Sequence, residues 1–374
     1  MPKFNLRNLR DIIGIGKESA FETFFRNEIN RGIFEPGSRL PNPVRLSVYY
    51  KVPVPNVMLA LRKLEKEGLL ITYPGKGTFV MRKGHIRPSE RLIGVICSGS
   101  SALTAHRTIA GIERIVTANG YGMMLKYTRD SQAREERVLK EMLNAGVEGV
   151  IIEPSQSQIM CKHMSLYRQM EEKEIPYVFM RSAYPQLIDR PRIMMDDRQG
   201  AYLITRHLIA TGREHIVGLF KTDDAVGAER HRGYVQALQE AGIYYNPELV
   251  IWFHSEDTVK KPEVALSQLE KEEIRFDAIQ CYNDSMAAGV REYLTKNGKT
   301  VPGDVAVTGY DNSAVTPAGE IGLTTIVEPL ELLGEMTAQL LLEQIAQVPD
   351  TESQVEKLLH PELIIRGSTI GTNI

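Results

Sequence analysis

The chain has 374 residues, is 43% hydrophobic and 25% charged, and carries a formal net charge of −2 at neutral pH. That length exceeds one ordinary core and points to two or three domains, and the composition is that of a soluble globular protein. An apolar run of ~18 residues, as a membrane span requires, is missing, and so is the apolar core of a secretory signal near Met1.

Cys97, Cys161 and Cys281 are scattered, without metal-ligand spacing or the density of a disulfide framework, so a reducing cytoplasm and no cofactor are expected. Charge is segregated along the chain. Residues 1–91 hold 17 Lys/Arg against 8 Asp/Glu, a net +9, which leaves −11 on the remainder. A basic head on an acidic body points to a polyanion as the head's partner, the plain alternative being a solvated Lys/Arg-rich surface.

The first predicted helix runs from Glu18 to Phe34, with Phe21, Phe24, Phe25, Ile29 and Ile33 as its buried stripe and Pro36-Gly37 closing it. A short second segment, Pro43 to Tyr50, is expected to bury Val44, Leu46 and Val48 or their neighbours. A third helix is predicted from an Asn56 N-cap through Val57, Leu61 and Leu64 to Gly68. Leu69–Thr72 and Thr78–Met81 read as two strands around the turn Tyr73-Pro74-Gly75-Lys76-Gly77. Three helices and a β-hairpin make a winged helix-turn-helix over residues 1–81, in which the third helix enters a major groove and the wing meets the backbone.

The segments Gly32 to Pro41, Ala60 to Leu70 and Gly75 to Val80 resemble the GntR-type DNA-binding domain. Where that family carries its DNA-reading arginines, this chain has Val44, Val54 and Met58. Asn56 then remains as the base-reading donor at the tip of the third helix, with Arg45, Lys51, Arg62, Lys63, Lys76 and Thr78 as candidate phosphate contacts.

Residues 82–91, polar and containing Gly84 and Pro88, read as a linker. From 92 to 374, short apolar runs alternate with helical patterns: Leu92–Cys97, Tyr121–Lys126, Val147–Glu153 and Tyr177–Met180, then again His215–Phe220, Ala278–Tyr282 and Val305–Tyr310. This predicts an α/β body of two doubly wound halves with parallel sheets, and a ligand cleft at facing strand ends. Arg134, Glu135, Glu136 and Arg137 are expected on the solvated face of a helix.

Polar residues cluster just after the strands: Ser100, Ser101, Glu153, Arg181, Asp223, Asp224, Asn283, Asp284, Asp311 and Asn312. Each fits a helix cap or a ligand contact equally well. Trp252 fits a sugar-stacking face or a place in the core.

The ordered segments Gly146–Pro154, Asp196-Asp197 with Gly200, Gly212–Ile216, Arg230–Tyr234, Cys281–Asp284, Gly309–Asn312 and Thr324–Ile326 resemble the LacI/GalR type of effector domain, which is similar to periplasmic sugar-binding proteins. The resemblance implies sugar contacts from Glu153, Arg181, Arg230, Asn283, Asp311 and Glu328, with Ser100 and Ser101 as further candidates at the cleft. Carboxylates accept hydroxyl protons, Arg donates a rigid fork and Asn does both. The combined resemblance implies a homodimeric repressor of sugar-utilisation genes, bound to a pseudo-palindromic operator and controlled by a sugar. An enzyme is disfavoured by the missing Walker loop, Gly-x-Ser-x-Gly elbow and His-Glu-x-x-His. The remaining alternative is a sugar sensor whose winged helix docks a protein.

Overall fold

The computed structural model describes residues 17–30, 34, 38–67, 69–73, 77–80, 91–99, 102–313, 322–346 and 355–370. The chain divides into two compact units, Met1–Glu90 and Arg91–Ile374.

The head consists of α1 (Lys17–Asn30), α2 (Pro43–Tyr50), α3 (Val54–Lys66) and an antiparallel hairpin of β1 (Leu70–Tyr73) and β2 (Gly77–Val80). Phe21, Phe25 and Ile29 fall at i, i+4 and i+8 on α1 and are buried against Leu46, Val57, Leu61, Leu64, Leu70 and Val80. Arg26 locks α1 to the end of α3, with hydrogen bonds of 2.7 and 2.6 Å to the Glu67 carboxylate.

Two expectations change here. In α2 only Leu46 is buried, whereas Val44 is 58% and Val48 75% exposed. The helical period places those two valines together on the face opposite Leu46. The third helix begins at Val54 with Pro53 at its N-cap, three residues before the expected Asn56 cap. Pro55 is accommodated because it lies in the first turn, where backbone N–H groups have no helical partner.

The body continues with β3 (Leu92–Cys97), α4 (Ala102–Ala118), β4 (Gly122–Tyr127), α5 (Gln132–Ala145), β5 (Gly149–Ile152), α6 (Met164–Glu172), β6 (Tyr177–Met180) and β7 (Arg192–Met195). It goes on through α7 (Asp197–Ala210), β8 (Ile216–Lys221), α8 (Ala225–Glu240), β9 (Val250–Phe253), α9 (Lys260–Lys271), β10 (Ala278–Gln280), α10 (Asp284–Lys296), β11 (Ala306–Thr308) and β12 (Thr325–Val327). It ends with α11 (Leu330–Ile345), β13 (Glu356–Leu359), β14 (Glu362–Ile364) and α12 (Gly367–Ile370).

One lobe holds a parallel sheet ordered β13-β7-β6-β5-β3-β4, the other a parallel sheet ordered β11-β10-β8-β9, with β12 and β14 as an antiparallel ribbon beside it. The central strands β3, β5, β6 and β8 are buried along almost their whole length, as parallel strands covered by helices on both faces must be. The chain passes between the lobes after β7, after β12 and between β13 and β14, so neither lobe is one contiguous segment. Among the described residues, no helix is long and apolar enough to cross a membrane.

The helices α4 and α11 cross at glycines. A Cβ on Gly111 would lie 2.1 Å from the Glu331 carbonyl oxygen, and one on Gly334 would lie 2.1 Å from that of Thr108. Backbone on both sides leaves nothing soft to give way.

A second feature overturns an expectation. Glu135 is wholly buried rather than solvated. Its carboxylate accepts from the Ser155 amide at 2.7 Å, Tyr167 Oη at 3.0 Å and Tyr184 Oη at 2.9 Å, and it meets His163 Nε2 at 3.0 Å. The helical period still puts it on the core face of α5 with Val138, Leu139 and Met142. Burial pulls the His163 imidazole down, but its contacts with Cys161 and Glu135 outweigh this and raise it to about 9.

Two outcomes are expected. Gly334→Ala should destabilise the body by about 1–3 kcal/mol through overpacking, measured by denaturant unfolding against an Ala substitution on an exposed face. His163 has a folded pKa raised above its unfolded value, so its contribution is complete below pH ~6.5 and fades as pH rises through about 9. The melting temperature of His163→Gln should therefore lie furthest below wild type under pH 6.5 and converge on it towards pH 9; a pH-independent gap would contradict the ion pair.

Candidate effector pocket and nucleic-acid face

Facing strand ends of the two lobes bring buried charges together. Glu153 follows β5, Arg181 follows β6, Asp311 follows β11, Glu328 follows β12, and Arg230 projects from α8. Arg181 Nη2 donates to Glu328 Oε2 at 2.6 Å, and Arg181 Nε lies 3.8 Å from Glu153. Arg230 Nε donates to Asp197 Oδ1 at 2.8 Å, and its Nη2 lies 3.6 Å from Glu328 and 4.0 Å from Asp311. Arg230 also donates to the Tyr282 carbonyl at 2.5 Å, with its guanidinium carbon 3.4 Å from the centre of the Tyr310 ring. Glu153 is steadied by the Ser98 amide, which donates to its Oε2 at 2.9 Å.

Two guanidiniums thus face four carboxyl groups in a buried setting, which is an excess of acid. Burial raises Asp197 to about 6 against the opposing pull of Arg230. Asp311 is pushed well up, by burial first and then by Glu328. For both arginines burial opposes the charge, but the surrounding carboxylates more than compensate, so both remain charged. Arg181 (φ 68°) and Asp311 (φ 97°) both hold left-handed backbone conformations, a local strain that the surrounding network enforces.

Glu153, Arg181, Arg230, Asn283 and Asp311 line a single cavity of about 40 Å³, together with Thr104, Thr108 and Tyr282. Glu328 stands behind it, fully buried, gripping both arginines. Ser100 and Ser101 lie outside the described residues.

Several strand-end residues are structural. Asp224 caps α8 and accepts from Tyr282 Oη at 2.7 Å. Asp284 accepts from Thr325 at 2.6 Å and the Ser313 amide at 2.8 Å, and Asn312 accepts from Arg366 at 2.9 Å. Asp223 accepts from the Ser255 amide at 3.1 Å. Asn283 has both roles: its Oδ1 caps α10 by accepting from the Met286 amide at 2.9 Å, and its side chain lines the cavity.

Trp252 fits neither expectation. It is 38% exposed on the edge strand β9, packed against His231 and Phe220. Asp197 and Tyr310 were missed by sequence reasoning. The pair Asp196-Asp197 entered only as a segment resembling the LacI/GalR type; in the structure Asp196 caps α7, while Asp197 turns inward to Arg230. A charge one residue beyond a cap was the available signal.

On the head, Arg45, Lys51 and Arg62 are exposed, Lys51 at the left-handed C-cap of α2 and Arg62 on α3. Asn56 is half-buried in the first turn of α3. Lys63 is drawn towards Glu22, 3.1 Å away, and the Thr78 hydroxyl lies 3.0 Å from that of Thr72 across the hairpin. Lys76 lies outside the described residues. Met58 and Leu59 add to the exposed apolar surface of the α2–α3 region.

Residues 24–80 match the gntR family of bacterial regulatory proteins, and residues 205–369 match the periplasmic binding protein-like domain. The arabinose metabolism transcriptional repressor of Geobacillus stearothermophilus is 33% identical over 90% of this chain and 93% of its own length. That of Halalkalibacterium halodurans is 32% identical over 92% of this chain and 94% of its own. A solved complex of the transcriptional regulator CelR with cellobiose shares the fold, with a TM-score of 0.65, 22% identity, and coverage of 98% of this chain and 100% of that one. The chain belongs to the family of the arabinose metabolism transcriptional repressors, regulators rather than enzymes, which join a gntR-type DNA-binding head to a periplasmic-binding-protein-like body.

Proposed function

We propose that this chain is a cytoplasmic, homodimeric repressor of sugar-utilisation genes whose grip on a pseudo-palindromic operator is set by a neutral sugar in the cleft of the body. Residues 1–81 bind the operator, residues 82–91 link, and residues 92–374 sense the effector and dimerise. The observation that carries this reading is the buried network of Glu153, Arg181, Arg230, Asp311 and Glu328 at facing strand ends of the two lobes. Fixed acceptors and fixed donors at short range read the positions of hydroxyl groups by geometry, without needing charge on the ligand.

Because the cleft is built from both lobes, a ligand touching both favours one arrangement of the lobes over another. It shifts operator affinity only by its differential affinity for the two arrangements, typically ~1–3 kcal/mol. On the head, Arg45, Lys51 and Arg62 supply sequence-independent attraction to phosphates, and Asn56 is the candidate for reading a base edge.

Calorimetry with a panel of pentoses, hexoses and their oligomers, followed by gel-shift on the upstream region of the chain's own operon with and without the bound sugar, tests the reading. A sugar that binds and changes the shift supports it; no binding across the panel refutes it. Asn283→Asp sharpens the test, because aspartate is as good an N-cap but lacks the amide donor. It should weaken sugar binding about tenfold or more, roughly the ~1.4 kcal/mol of a lost hydrogen bond, while leaving the melting temperature near wild type. For the head, Arg62→Ala should lower DNA affinity on all sequences and reduce the slope of log K against log salt by about 1. Lys63→Ala, already engaged by Glu22, should do less. An unchanged slope for Arg62→Ala would remove it from the phosphate contacts.

A further inference from the structure

On the head, α2 and α3 carry apolar side chains on their outer faces: Val44 and Val48 on α2, and Pro55, Met58 and Leu59 on α3. Met58 and Leu59 are each 43% exposed. Val57, Ala60, Leu61 and Leu64 take the core side of α3, so the helical period sends Pro55, Leu59 and Arg62 outward in one stripe with Met58 beside it. The surrounding sequence is basic. Residues 36–64 contain no Asp or Glu against five cations, Arg39, Arg45, Lys51, Arg62 and Lys63.

Apolar side chains set among cations, with no carboxylate between them, complement a polyanion that also presents methyl groups. A DNA duplex is such a surface: phosphates border the major groove, and every thymine places its C5-methyl inside it, where apolar side chains distinguish it. In a winged helix-turn-helix the third helix enters that groove with its N-terminal residues at the base edges, while the second crosses the backbone. Readout therefore falls to the first two turns of α3. The side chains with exposed surface there are Val54, Pro55, Asn56, Met58 and Leu59, and of these five only Asn56 carries a hydrogen-bond donor. Guanine is commonly read by a bidentate Arg or Lys, but Arg62 lies a turn further on and Lys63 is drawn to Glu22 at 3.1 Å.

We propose that the head reads its operator through thymine methyl groups, with Met58 and Leu59 as the specificity-determining side chains and Pro55 completing their apolar wall. This rests on the operator-binding reading above and adds which base is read and by what contact. Asn56 agrees with it, because an Asn amide pairs with the edge of adenine, so both chemistries select A·T pairs. Met58 and Leu59 stand outside the head's core. Truncating either to Ala therefore removes the methyl contact while keeping a strong helix former in its place.

The full chain, with and without bound sugar, would select duplexes from a random-sequence library. The selected site would then be remade with deoxyuridine in place of one thymidine at a time, which removes the methyl and leaves every hydrogen-bonding group. The expected result is A·T-rich half-sites in which one or two thymidines each lose about fourfold in affinity on replacement, the size of one buried carbon. That loss should shrink to below about 1.5-fold in Met58→Ala or Leu59→Ala, as for two partners of one contact, with the melting temperature unchanged. Half-sites fixed only by guanine, thymidines all replaceable at no cost, or a methyl effect untouched by both variants would each overturn the proposal while leaving operator binding intact. So would variants that bind DNA as wild type but self-associate less in sedimentation, which would give the apolar face to a second copy of the chain. Retention of no duplex at low salt would overturn both readings. The wild-type deoxyuridine scan decides methyl readout even where a variant misfolds.

Discussion

Glu328 has no exposed surface, yet it lies within 2.6 Å of one guanidinium and 3.6 Å of another, and the body's organisation turns on this placement. A carboxylate taken out of water costs several kcal/mol, and removing one partner from a buried pair typically costs ~3–5 kcal/mol. The network therefore holds its members to a narrow geometry. Arg181 comes from the end of β6 in one lobe, and Arg230, Asp311 and Glu328 from the other lobe or its boundary. One charge cluster thus fixes the approach of the lobes, the left-handed backbone at Arg181 and Asp311, and the polarity of the cavity.

The same constraint explains why such a pocket suits a regulator. Its two guanidiniums and four carboxyl groups already engage one another, with more acceptors than donors. A polyol that replaces part of this internal satisfaction gains only the difference between two sets of hydrogen bonds. Small differences are what a switch requires: a ligand bound equally well by both arrangements shifts nothing, however tight it is. The two longest approaches, 3.8 Å from Arg181 to Glu153 and 4.0 Å from Arg230 to Asp311, are those between residues that line the cavity.

How much of this was legible follows from the range of the forces involved. Alternating apolar runs and helical periods report local burial, so β3 to β6, β8, β10, β11 and the winged-helix elements could be read in order, whereas the four-residue strands β7, β9 and β13 were not among the runs. Glu153, Arg181, Asn283 and Asp311 each follow an apolar run, but a cap and a ligand contact fitted that position equally well, and it was the resemblance that singled them out from Asp223, Asp224, Asp284 and Asn312. Glu135 was not. Its neighbours Arg134, Glu136 and Arg137 make a charged run that resembles a solvated face, and only the distant partners His163, Tyr167 and Tyr184 reveal that it is core. Val44 and Val48 failed in the opposite direction, being apolar side chains on the face of α2 that the head's core leaves uncovered. In both cases residue type was outweighed by helical phase. Asn56 as a cap was a local error: Pro at the first turn extends a helix backward more readily than it interrupts it.

The segregation of charge, +9 on residues 1–91 against −11 on the rest, connects the two units without any contact between them being invoked. Phosphates attract the head and repel the body, and both effects weaken as salt shortens the ~10 Å screening length at 0.1 M. A uniformly basic chain would bind any duplex along any face; an acidic body restricts productive encounters to the head. The few exposed cations of α2 and α3, Arg45, Lys51 and Arg62, then need only orient the head on the backbone, because the rest of the chain already disfavours the alternatives. Attraction is thus concentrated in the head, and acidity is kept for the body that senses the sugar.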